Sequence, residues 1–442
     1  MGFQQGLSGV GAAAKQLDVI GNNVANSSTV GFKQSRTEFG DMFAASYYGV
    51  AATQNGIGST VQAVAQQMNQ GNVTITNNQL DLAISGNGFF ITQTPTGTGY
   101  TRNGQFQVDK DGYIVNNGDK LMGWGTVAGS NPVKIREGEL QELKIQTDTI
   151  APLASDGGGA ITPPNSKKIT LTTNLDSRQT KPALAFNVAD ATTYNHSTSA
   201  TLYDSLGNPL TMTMYYRKKD TNEWEVYSRI NNPNVSAITT GGGSAPGDNP
   251  YMLNGGIAKT LSFNTDGTLV TPSDGTISYG SNSYKSVAGA ADLTVTLDIG
   301  SGVSGTTQHG KTFSVRDLSQ VGYAAAELTG VQIDKTGVIK ARYTNGQTKD
   351  VGQVVLANFK NTQGLQSVGA NRWTEALASG SPTLNNPGSS NVGYVQSGAV
   401  EDSNVDLTSE LVNMITAQRY YQANAQTIKV QDSVMQTLIN LR

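Results

Sequence analysis

Side chains that commonly carry out enzyme chemistry are scarce in this chain of 442 residues. Its two histidines, His196 and His309, could act as general bases or metal ligands. Both stand in short polar runs, so we expect them in exposed loops without a catalytic or metal-binding role. No serine is framed as Gly-x-Ser-x-Gly, and no phosphate-binding or dinucleotide-binding glycine pattern occurs.

Acidic residues offer two further candidates for chemistry. Residues 109–112, Asp-Lys-Asp-Gly, resemble the start of a calcium loop, but the further oxygen ligands and the closing glutamate are missing. Glycoside hydrolysis requires two carboxylates that face each other across a cleft. No sequence pattern places the pairs Glu137/Glu139 or Glu401/Asp402 in this way. The chain also lacks cysteine. The sequence therefore predicts no enzyme activity, no cofactor and no metal site.

Composition limits the classes of partner. Hydrophobic residues make up 37% and charged residues 14% of the chain, which contains 51 glycines. This mixture is typical of short strands with tight turns and polar, weakly charged surfaces. The net charge is −3, without the excess of basic residues that is typical of nucleic-acid binding, so we expect no nucleic-acid partner. The first thirty residues carry one basic residue, Lys15, and no segment approaches about 18 apolar residues, so we expect no cleaved signal peptide and no membrane insertion.

The N-terminal segment carries a helical stripe. Apolar and small residues recur there at alternating steps of four and three, the spacing that keeps one face toward a partner helix. The stripe consists of Phe3, Leu7, Val10, Ala14, Leu17, Gly21 and Val24. A polar cluster at residues 26–29, followed by Gly31, predicts the end of this helix.

The C-terminal segment repeats the pattern from about Val405 onward. Ser403 or Asp406 could cap its first turn, and neither proline nor glycine interrupts it. At 1.5 Å per residue, thirty-odd residues would form roughly 50 Å of helix. Its stripe comprises Leu407, Leu411, Met414, Tyr421, Ala425, Ile428, Met435 and Ile439, with the polar residues Gln418 and Asp432 at the two remaining positions.

Two interpretations of the stripes remain open. They could form an intramolecular helix pair, or they could associate with copies of themselves in other subunits, because an isolated amphipathic helix is marginal in water. Periodicity does not distinguish these possibilities. We predict a subunit-assembly seam made of Phe3, Leu7, Val10, Leu17, Val24, Leu407, Leu411, Met414, Tyr421, Ile428, Met435 and Ile439.

The middle of the chain is typical of antiparallel β structure. Residues 80–91 form a strand–turn–strand signal. Three tetrapeptides, at 109–112, 264–267 and 334–337, begin with Asp or Asn and end with Gly. This pattern fits a type I turn closed by a residue that tolerates positive φ. It predicts three β-hairpins built alike.

Composition also suggests the domain boundaries. Gly/Pro-rich stretches at 154–165, 232–250 and 379–393 are typical of linkers or long loops. We predict a mainly β, nested multi-domain fold with α-helical termini, in which an outer β domain is inserted into an inner β domain made of two chain segments. The expected parts are a coiled-coil-like helical domain (1–30 and 403–442), connecting segments (31–72 and 393–402), the inner β domain (73–147 and 320–392) and the outer β domain (148–319).

The terminal segments resemble a known family. Residues 22–26 (Asn-Asn-Val-Ala-Asn) and 29–33 (Thr-Val-Gly-Phe-Lys) are similar to the N-terminal signature of flagellar rod, hook and hook-associated axial proteins. Residues 403–407, 410–415 and 418–421 resemble the C-terminal signature of the same family.

The interior resembles that family as well. Residues 85–90, 100–106 and 354–359 are similar to its inner β domain, and 202–208 and 223–227 are more loosely similar to the outer domain of hook subunits. The resemblance covers roughly residues 1–147 and 320–442. The large insertion after residue 147 favours a hook subunit over the shorter distal rod subunit.

The resemblance implies a structural function. The chain would polymerise with itself into a hollow, flexible helical tube, the extracellular hook, which joins rod to filament and transmits motor torque as a universal joint. Implied partners are the flagellar distal rod protein, the hook cap protein, the hook–filament junction protein and the flagellar type III export apparatus. An alternative from another class, a secreted β-rich adhesin or polysaccharide-binding protein, fits the composition but leaves the helical stripes without a purpose.

Overall fold

The computed structural model describes residues 2–42, 56–127, 134–145, 149–155, 169–231, 251–279, 290–291, 293–389 and 391–440. Most of the predicted linker at 154–165 and all of the predicted loop at 232–250 lie outside these ranges. The predicted fold class is confirmed: the chain is mainly β, with a helix at each end.

The elements of the first half follow in chain order. They are α1 (Gly2–Ala25), β1 (Ser35–Met42), β2 (Gly58–Gln66), β3 (Val73–Ile75), β4 (Leu82–Ser85), β5 (Phe89–Thr94), β6 (Gly97–Thr101), β7 (Gln107–Val108), β8 (Ile114–Asn116), β9 (Asp119–Thr126), β10 (Ile135–Glu142), β11 (Ile169–Asp176), β12 (His196–Tyr203), β13 (Pro209–Asp220) and β14 (Glu223–Asn231).

The second half contains the remaining strands and the second helix. They are β15 (Tyr251–Met252), β16 (Lys259–Phe263), β17 (Leu269–Thr271), β18 (Thr276–Ser278), β19 (Thr296–Asp298), β20 (Thr307–His309), β21 (Ser314–Ser319), β22 (Leu328–Ile333), β23 (Val338–Tyr343), β24 (Thr348–Val354), β25 (Leu356–Asn358), β26 (Gln366–Gly369), β27 (Arg372–Thr374), β28 (Thr383–Asn385), β29 (Tyr394–Ser397), β30 (Ala399–Glu401) and α2 (Leu407–Asn440).

The helix ends lie where the sequence predicts them. Helix α1 ends at Ala25, immediately before the polar cluster at 26–29. Helix α2 begins after Asp406, whose Oδ1 accepts hydrogen bonds from the backbone N–H groups of Thr408 (2.9 Å) and Ser409 (3.2 Å). This N-cap satisfies donors that the first helical turn leaves unpaired.

A two-stranded hairpin of β1 and β2 packs on α1, in the segment predicted to be a connection. Near one end, the Gln5 side chain donates to the carbonyl of Gly56 (2.7 Å). At the other end, the Asn23 amide exchanges two hydrogen bonds with the backbone of Ser35, at 2.8 and 2.9 Å. A lone hairpin is marginal in water, so these contacts with α1 hold it in place.

The inner β domain is built from two distant parts of the chain, as predicted. In the described residues, a 13-stranded sheet joins strands β5–β10 to strands β22–β28. The two parts of the chain pair at three places in this sheet: β24 with β9, β25 with β5 and β27 with β6. The segment 379–393, predicted as a Gly/Pro-rich connection, contains β28, which pairs with β25 and so belongs to this sheet.

All three predicted turns form hairpins. In each, the glycine has a positive φ (Gly112 84°, Gly267 80°, Gly337 78°) and its N–H donates to the carbonyl of the first turn residue at 2.9–3.0 Å. The hairpins join β7 to β8, β16 to β17 and β22 to β23. The strands at 80–91 also form, but β4 pairs with β29 and β5 pairs with β6, β9 and β25, so they are not a hairpin.

The outer β domain has its own hydrophobic core between two sheets, with Trp224, Leu202 and Met214 fully buried. It departs from the antiparallel prediction in one place, because β11 runs parallel to β19 and β20. The predicted position of His196 in an exposed loop is wrong: it lies half-buried on β12 and stacks on Phe313, with ring centroids 4.6 Å apart. Burial lowers the pKa of His196, against the effect of nearby Asp176.

The chain crosses between the two β domains at two antiparallel bridges, Ile150 with Ala326 and Leu153 with Tyr323. The Ser155 hydroxyl donates to the Gln320 side chain at 2.8 Å across the same crossing. The outer domain is therefore held on paired extended segments. No helix of the described chain is long and apolar enough to cross a membrane.

Candidate functional site: the terminal helices and their anchor

The two terminal helices pack against each other within one chain. Gly6 and Gly9 of α1 lie against Asn424 and Ile428 of α2, whereas Asn23 lies near the opposite end of α2. The helices are therefore antiparallel. Added Cβ atoms would lie 2.9 Å from the Ile428 Cγ1 at Gly6 and 2.5 Å from the Asn424 Oδ1 at Gly9. Small residues thus permit the close approach of the two backbones.

Gly6 and Gly11 offer a matched test of this packing. We expect Gly11→Ala to stabilise the chain by about 0.5–1 kcal/mol, because no atom lies within 4 Å of the new methyl and alanine favours helix. Gly6→Ala should destabilise it by about 1 kcal/mol, since overpacking against Ile428 exceeds the propensity gain. Urea titration of the ellipticity at 222 nm measures both. Equal stabilisation by the two substitutions would contradict the close helix contact.

The predicted stripe on α1 lies beside the face that is buried in this pair. The buried face is marked by Gly6, Ala13 and Ile20, each one residue before a stripe position. One residue is about 100° around a helix, so the stripe lies at the border of the contact. Phe3 and Leu7 remain 52% and 56% exposed. Val10, Leu17 and Val24 are half-buried.

The stripe on α2 is divided in the same way. Met414 and Ile428 are half-buried on the side that faces α1. The other predicted seam residues remain exposed, namely Leu407, Leu411, Tyr421, Met435 and Ile439. The intramolecular pair therefore exists, but it leaves a large part of both stripes uncovered. The assembly seam stays a prediction, and the structure leaves surface for it.

A buried polar junction fixes the register of the helix pair near the end of α1. Glu410 is 2% exposed and accepts hydrogen bonds from the side-chain amides of Gln34 and, at 3.5 Å, Asn23. Because Asn23 also holds the backbone of Ser35, this junction links α1, α2 and the hairpin. Buried polar groups with these partners favour one register over neighbouring ones.

The anchor between the helices and the inner β domain is a buried ion triad of Lys33, Arg102 and Glu401. The Glu401 Oε1 lies 2.5 Å from the Lys33 Nζ, and its Oε2 lies 2.8 Å from an Arg102 guanidinium nitrogen. The three side chains are at most 4% exposed. Two buried cations thus share one buried carboxylate.

Backbone groups make further hydrogen bonds with all three side chains of the triad. The Lys33 ammonium donates to the carbonyl of Asn69 (2.7 Å), and Glu401 accepts from the N–H of Gly71 (2.9 Å). Arg102 also donates to the carbonyl of Gly86 at 2.8 Å. Segments that are hundreds of residues apart in the chain therefore meet at this point, between the helix pair and the inner sheet.

Burial and the neighbouring charges shift the pKa values of Glu401 and Lys33. Burial raises the pKa of Glu401, but Arg102 and Lys33 together outweigh it, so the pKa lies below its usual value. Burial lowers the pKa of Lys33, and Arg102 adds to that effect while Glu401 opposes it. The carboxylate is therefore the charge on which both buried cations depend.

This anchor is not predicted by the sequence. Glu401 stands in a carboxylate pair that shows no catalytic pattern, and Lys33 and Arg102 lie within the segments that resemble family signatures. Only Arg102 gave a usable signal, because it stands alone among the uncharged residues 95–108 in a chain with 14% charged residues. Among the residues that the structure describes, no group of His, Asp and Glu is arranged to hold a metal ion.

Four models of flagellar protein families match the chain. Residues 3–33 match "Flagella basal body rod protein", and residues 396–441 match "Flagellar basal body rod FlgEFG protein C-terminal". Between them, residues 83–171 match "Flagellar hook protein FlgE/F/G D1 domain", and residues 174–323 match "Flagellar basal body protein FlaE D2 domain". The matches include both terminal helices.

Flagellar hook proteins of other bacteria are similar to this chain over nearly its full length. The flagellar hook protein FlgE of Salmonella typhimurium is 39% identical over 446 residues, with 100% of both chains covered. The FlgE of Escherichia coli K12 is 38% identical over 447 residues, again with full coverage of both. The FlgE of Borreliella burgdorferi is 32% identical over 467 residues, covering 99% of this chain and 98% of its own.

A solved structure supports the fold. The crystal structure of Helicobacter pylori flagellar hook protein FlgE2 matches with a TM-score of 0.52 at 14% identity, covering 74% of this chain and 100% of that chain. At this identity the match concerns the fold alone. Because hook proteins are 38–39% identical to it over the full length of both chains, the chain belongs to the flagellar hook protein FlgE family.

Proposed function

We propose that this structural protein of the flagellar hook polymerises through its terminal helices into a hollow, flexible helical tube that joins rod to filament. One observation carries the proposal: apolar stripes on α1 and α2 stay exposed after the two helices have paired. Phe3 and Leu7 on α1 and Leu411 and Met435 on α2 are among them. Exposed apolar patches of this kind mark interaction surfaces.

The exposed stripes suit contacts between identical copies. Head-to-tail contacts between different surfaces of one subunit make an open helical polymer unless the rotation closes. Burial of each large apolar side chain contributes about 1.5–3 kcal/mol, at about 25 cal/mol per Å². Several such residues per copy would give the tube axial strength.

The end of α2 provides a further contact. Helix α2 has 34 residues and α1 has 24, a difference of about 15 Å. Since Gly6 lies against Ile428, the last residues of α2 extend beyond the start of α1. Val434, Met435 and Ile439 are exposed there. We infer that this extension packs on the helices of neighbouring copies.

The outer domain is suited to a joint that bends. Its surface is rich in polar, uncharged residues. Contacts between such surfaces are wet and individually weak, so neighbouring copies could slide as the tube bends. The anchor triad would meanwhile hold the helix pair on the inner domain of each copy. This division of roles describes a universal joint that transmits motor torque.

A subunit of the hook would also contact other flagellar proteins. We propose the distal rod protein at one end of the tube, the hook–filament junction protein at the other, and the hook cap protein during growth. Delivery would use the flagellar type III export apparatus. Family membership and the helical ends support these partners. The domain bounds predicted from composition remain part of the proposal.

Removing residues 1–25 and 406–442 tests the role of the helices. We expect a soluble, folded β core that no longer polymerises, because the cut removes α1 and α2 but keeps the Lys33–Glu401 pair. Sedimentation and negative-stain microscopy compare it with the full chain, which should form curved tubes. A truncated core that still pelleted as tubes, or a full chain that remained a glycan-binding monomer, would contradict the proposal.

A further inference from the structure

The crossing between the inner and outer β domains would be a weak connection on its own. The two chain segments that form it pair at two isolated bridges, Ile150 with Ala326 and Leu153 with Tyr323. A short two-stranded pairing is only marginally stable in water. A fixed angle between the two domains therefore requires further contacts, and one turn of the outer domain supplies them.

This turn consists of residues 204–208, which connect β12 to β13, and we call it the 204–208 turn. At its Gly207 an added Cβ would lie 2.8 Å from the Cβ of Pro152, on one segment of the crossing. On the other segment it would lie 3.2 Å from the Cα of Ala324 and 3.3 Å from the backbone nitrogen of Ala325. The turn thus rests on both crossing segments at a distance that only glycine permits.

The 204–208 turn keeps its shape through its own hydrogen bonds. The buried Asp204 carboxylate accepts from the N–H groups of Leu206 (2.9 Å) and Asn208 (2.7 Å), and from the Asn208 side-chain amide (2.8 Å). The Gly207 N–H donates to the carbonyl of Asp204 at 3.1 Å. Side-chain hydrogen bonds to nearby backbone groups hold such turns in one conformation. The position of the crossing is therefore transmitted directly to β12 and β13.

Two neighbouring contacts tighten the same joint. The fully buried Ser155 exchanges two hydrogen bonds with the backbone of Tyr203, at 2.9 and 2.8 Å, and donates to the Gln320 side chain. From the inner domain, the Asn345 side chain donates to the carbonyl of Ala324 at 3.1 Å. The crossing is consequently held from the outer domain and from the inner domain at once.

We propose that the 204–208 turn fixes the angle at which the outer β domain stands on the inner β domain. The two domains of one chain then move as a single rigid body. In the proposed hook, bending would come from sliding between copies and not from rotation of an outer domain on its own inner domain. The fixed angle is a property of the single chain and does not depend on polymerisation.

Gly207→Ala and Gly346→Ala form a matched pair. Both glycines have a positive φ, 83° and 78°, so alanine strains the two backbones alike. Only at residue 207 does the new methyl meet other atoms, since no atom lies within 4 Å of it at residue 346. The methyl at 207 needs about 0.7 Å more room for ordinary contact. With one strand spacing, about 5 Å, as the lever, this opening tilts the outer domain by about 8°.

Two spin labels measure the tilt, because the chain has no cysteine of its own. Thr221 and Thr348 are exposed and are replaced by labelled cysteines. Thr221 lies just beyond the 12-residue strand β13, about 40 Å from the turn, and Thr348 lies on the inner domain. We expect one narrow distance distribution in the labelled parent and in Gly346→Ala. Gly207→Ala should shift it by about 6 Å or broaden it markedly. A broad distribution in the parent, or equal distributions in the two alanine variants, would overturn the proposal.

A cysteine pair tests the contact itself, also where Gly207→Ala lowers the stability of the outer domain. A disulfide needs Cβ atoms about 3.5–4.5 Å apart, and a Cβ at residue 207 lies 2.8 Å from that of Pro152. We expect Pro152→Cys/Gly207→Cys to lose its free thiols in air, while Pro152→Cys/Gly346→Cys keeps them. Equal thiol titres in the two pairs would reject the fixed angle. Failure of the full chain to polymerise would instead count against the proposed function alone.

Discussion

Leu411→Asp is expected to abolish polymerisation while the subunit remains folded. Leu411 is 45% exposed in the single chain, so a charge there disturbs little within the subunit. In the proposed polymer the same position is covered by a neighbour, where an unpaired carboxylate costs several kcal/mol at each contact. The critical concentration should therefore rise more than about 100-fold. Pelleting assays of the purified variant measure it, and cells that carry it should not swim.

The control places the same charge elsewhere on the same helix. Thr416 is exposed and lies five residues, or about 140°, around α2 from Leu411. Thr416→Asp should polymerise much more readily than Leu411→Asp. Leu17→Asp on α1 should resemble Leu411→Asp, with some loss of subunit stability because Leu17 is half-buried. Normal swimming by either leucine variant would remove that residue from the seam.

Local features of this fold could be predicted from sequence because short-range chemistry decides them. The polar cluster after Ala25 ends α1, and Asp406 caps α2. The glycines that close the three hairpin turns adopt the positive φ that their position requires. Each of these features depends on a few neighbouring residues, so a single sequence contains the necessary information.

Pairing between distant segments could not be predicted in the same way. The turn at 86–88 is flanked by β4 and β5, which look like hairpin partners but pair with other strands. Which strands meet is decided by packing over the whole domain, since β propensity depends strongly on context. The half-buried position of His196 has the same origin, because Phe313, far along the chain, provides its stacking surface.

The helix pair shows why apolar periodicity alone was insufficient. Apolar periodicity marks large side chains, such as Leu7 and Val10, whereas the contact with α2 uses the adjacent small residues Gly6 and Gly9. Interaxial distance depends on the side chains at the contact, so small residues mark the closest approach. The large residues are consequently left for other partners. The two open interpretations of the stripes are therefore compatible: one face pairs within the chain, and the proposed seam lies beside it.

Glu401→Gln should be among the most destabilising substitutions in the chain. The amide keeps the size of the side chain but leaves Lys33 and Arg102 buried without a counter-charge, and removal of one partner from a buried ion pair costs about 3–5 kcal/mol. Lys33→Met should cost less, because it leaves Arg102 and Glu401 as a one-to-one pair. Urea unfolding at pH 7, followed by tryptophan fluorescence, measures both variants. A loss under about 1 kcal/mol for Glu401→Gln, or a larger loss for Lys33→Met, would contradict the role of the triad.

Acid titration separates this charge effect from simple loss of packing. The folded pKa of Glu401 is lowered, so its stabilisation is present above the unfolded pKa of about 4.3 and is lost as the pH falls through the lower folded value. The stability difference between wild type and Glu401→Gln should therefore narrow as the pH falls below about 4. Glu38→Gln, which breaks the exposed pair with Arg36, should change stability by about 0.5 kcal/mol or less at any pH. Since the triad joins the helix pair to the inner sheet, a pH-independent loss in Glu401→Gln would mean that shape, and not charge, holds the two together.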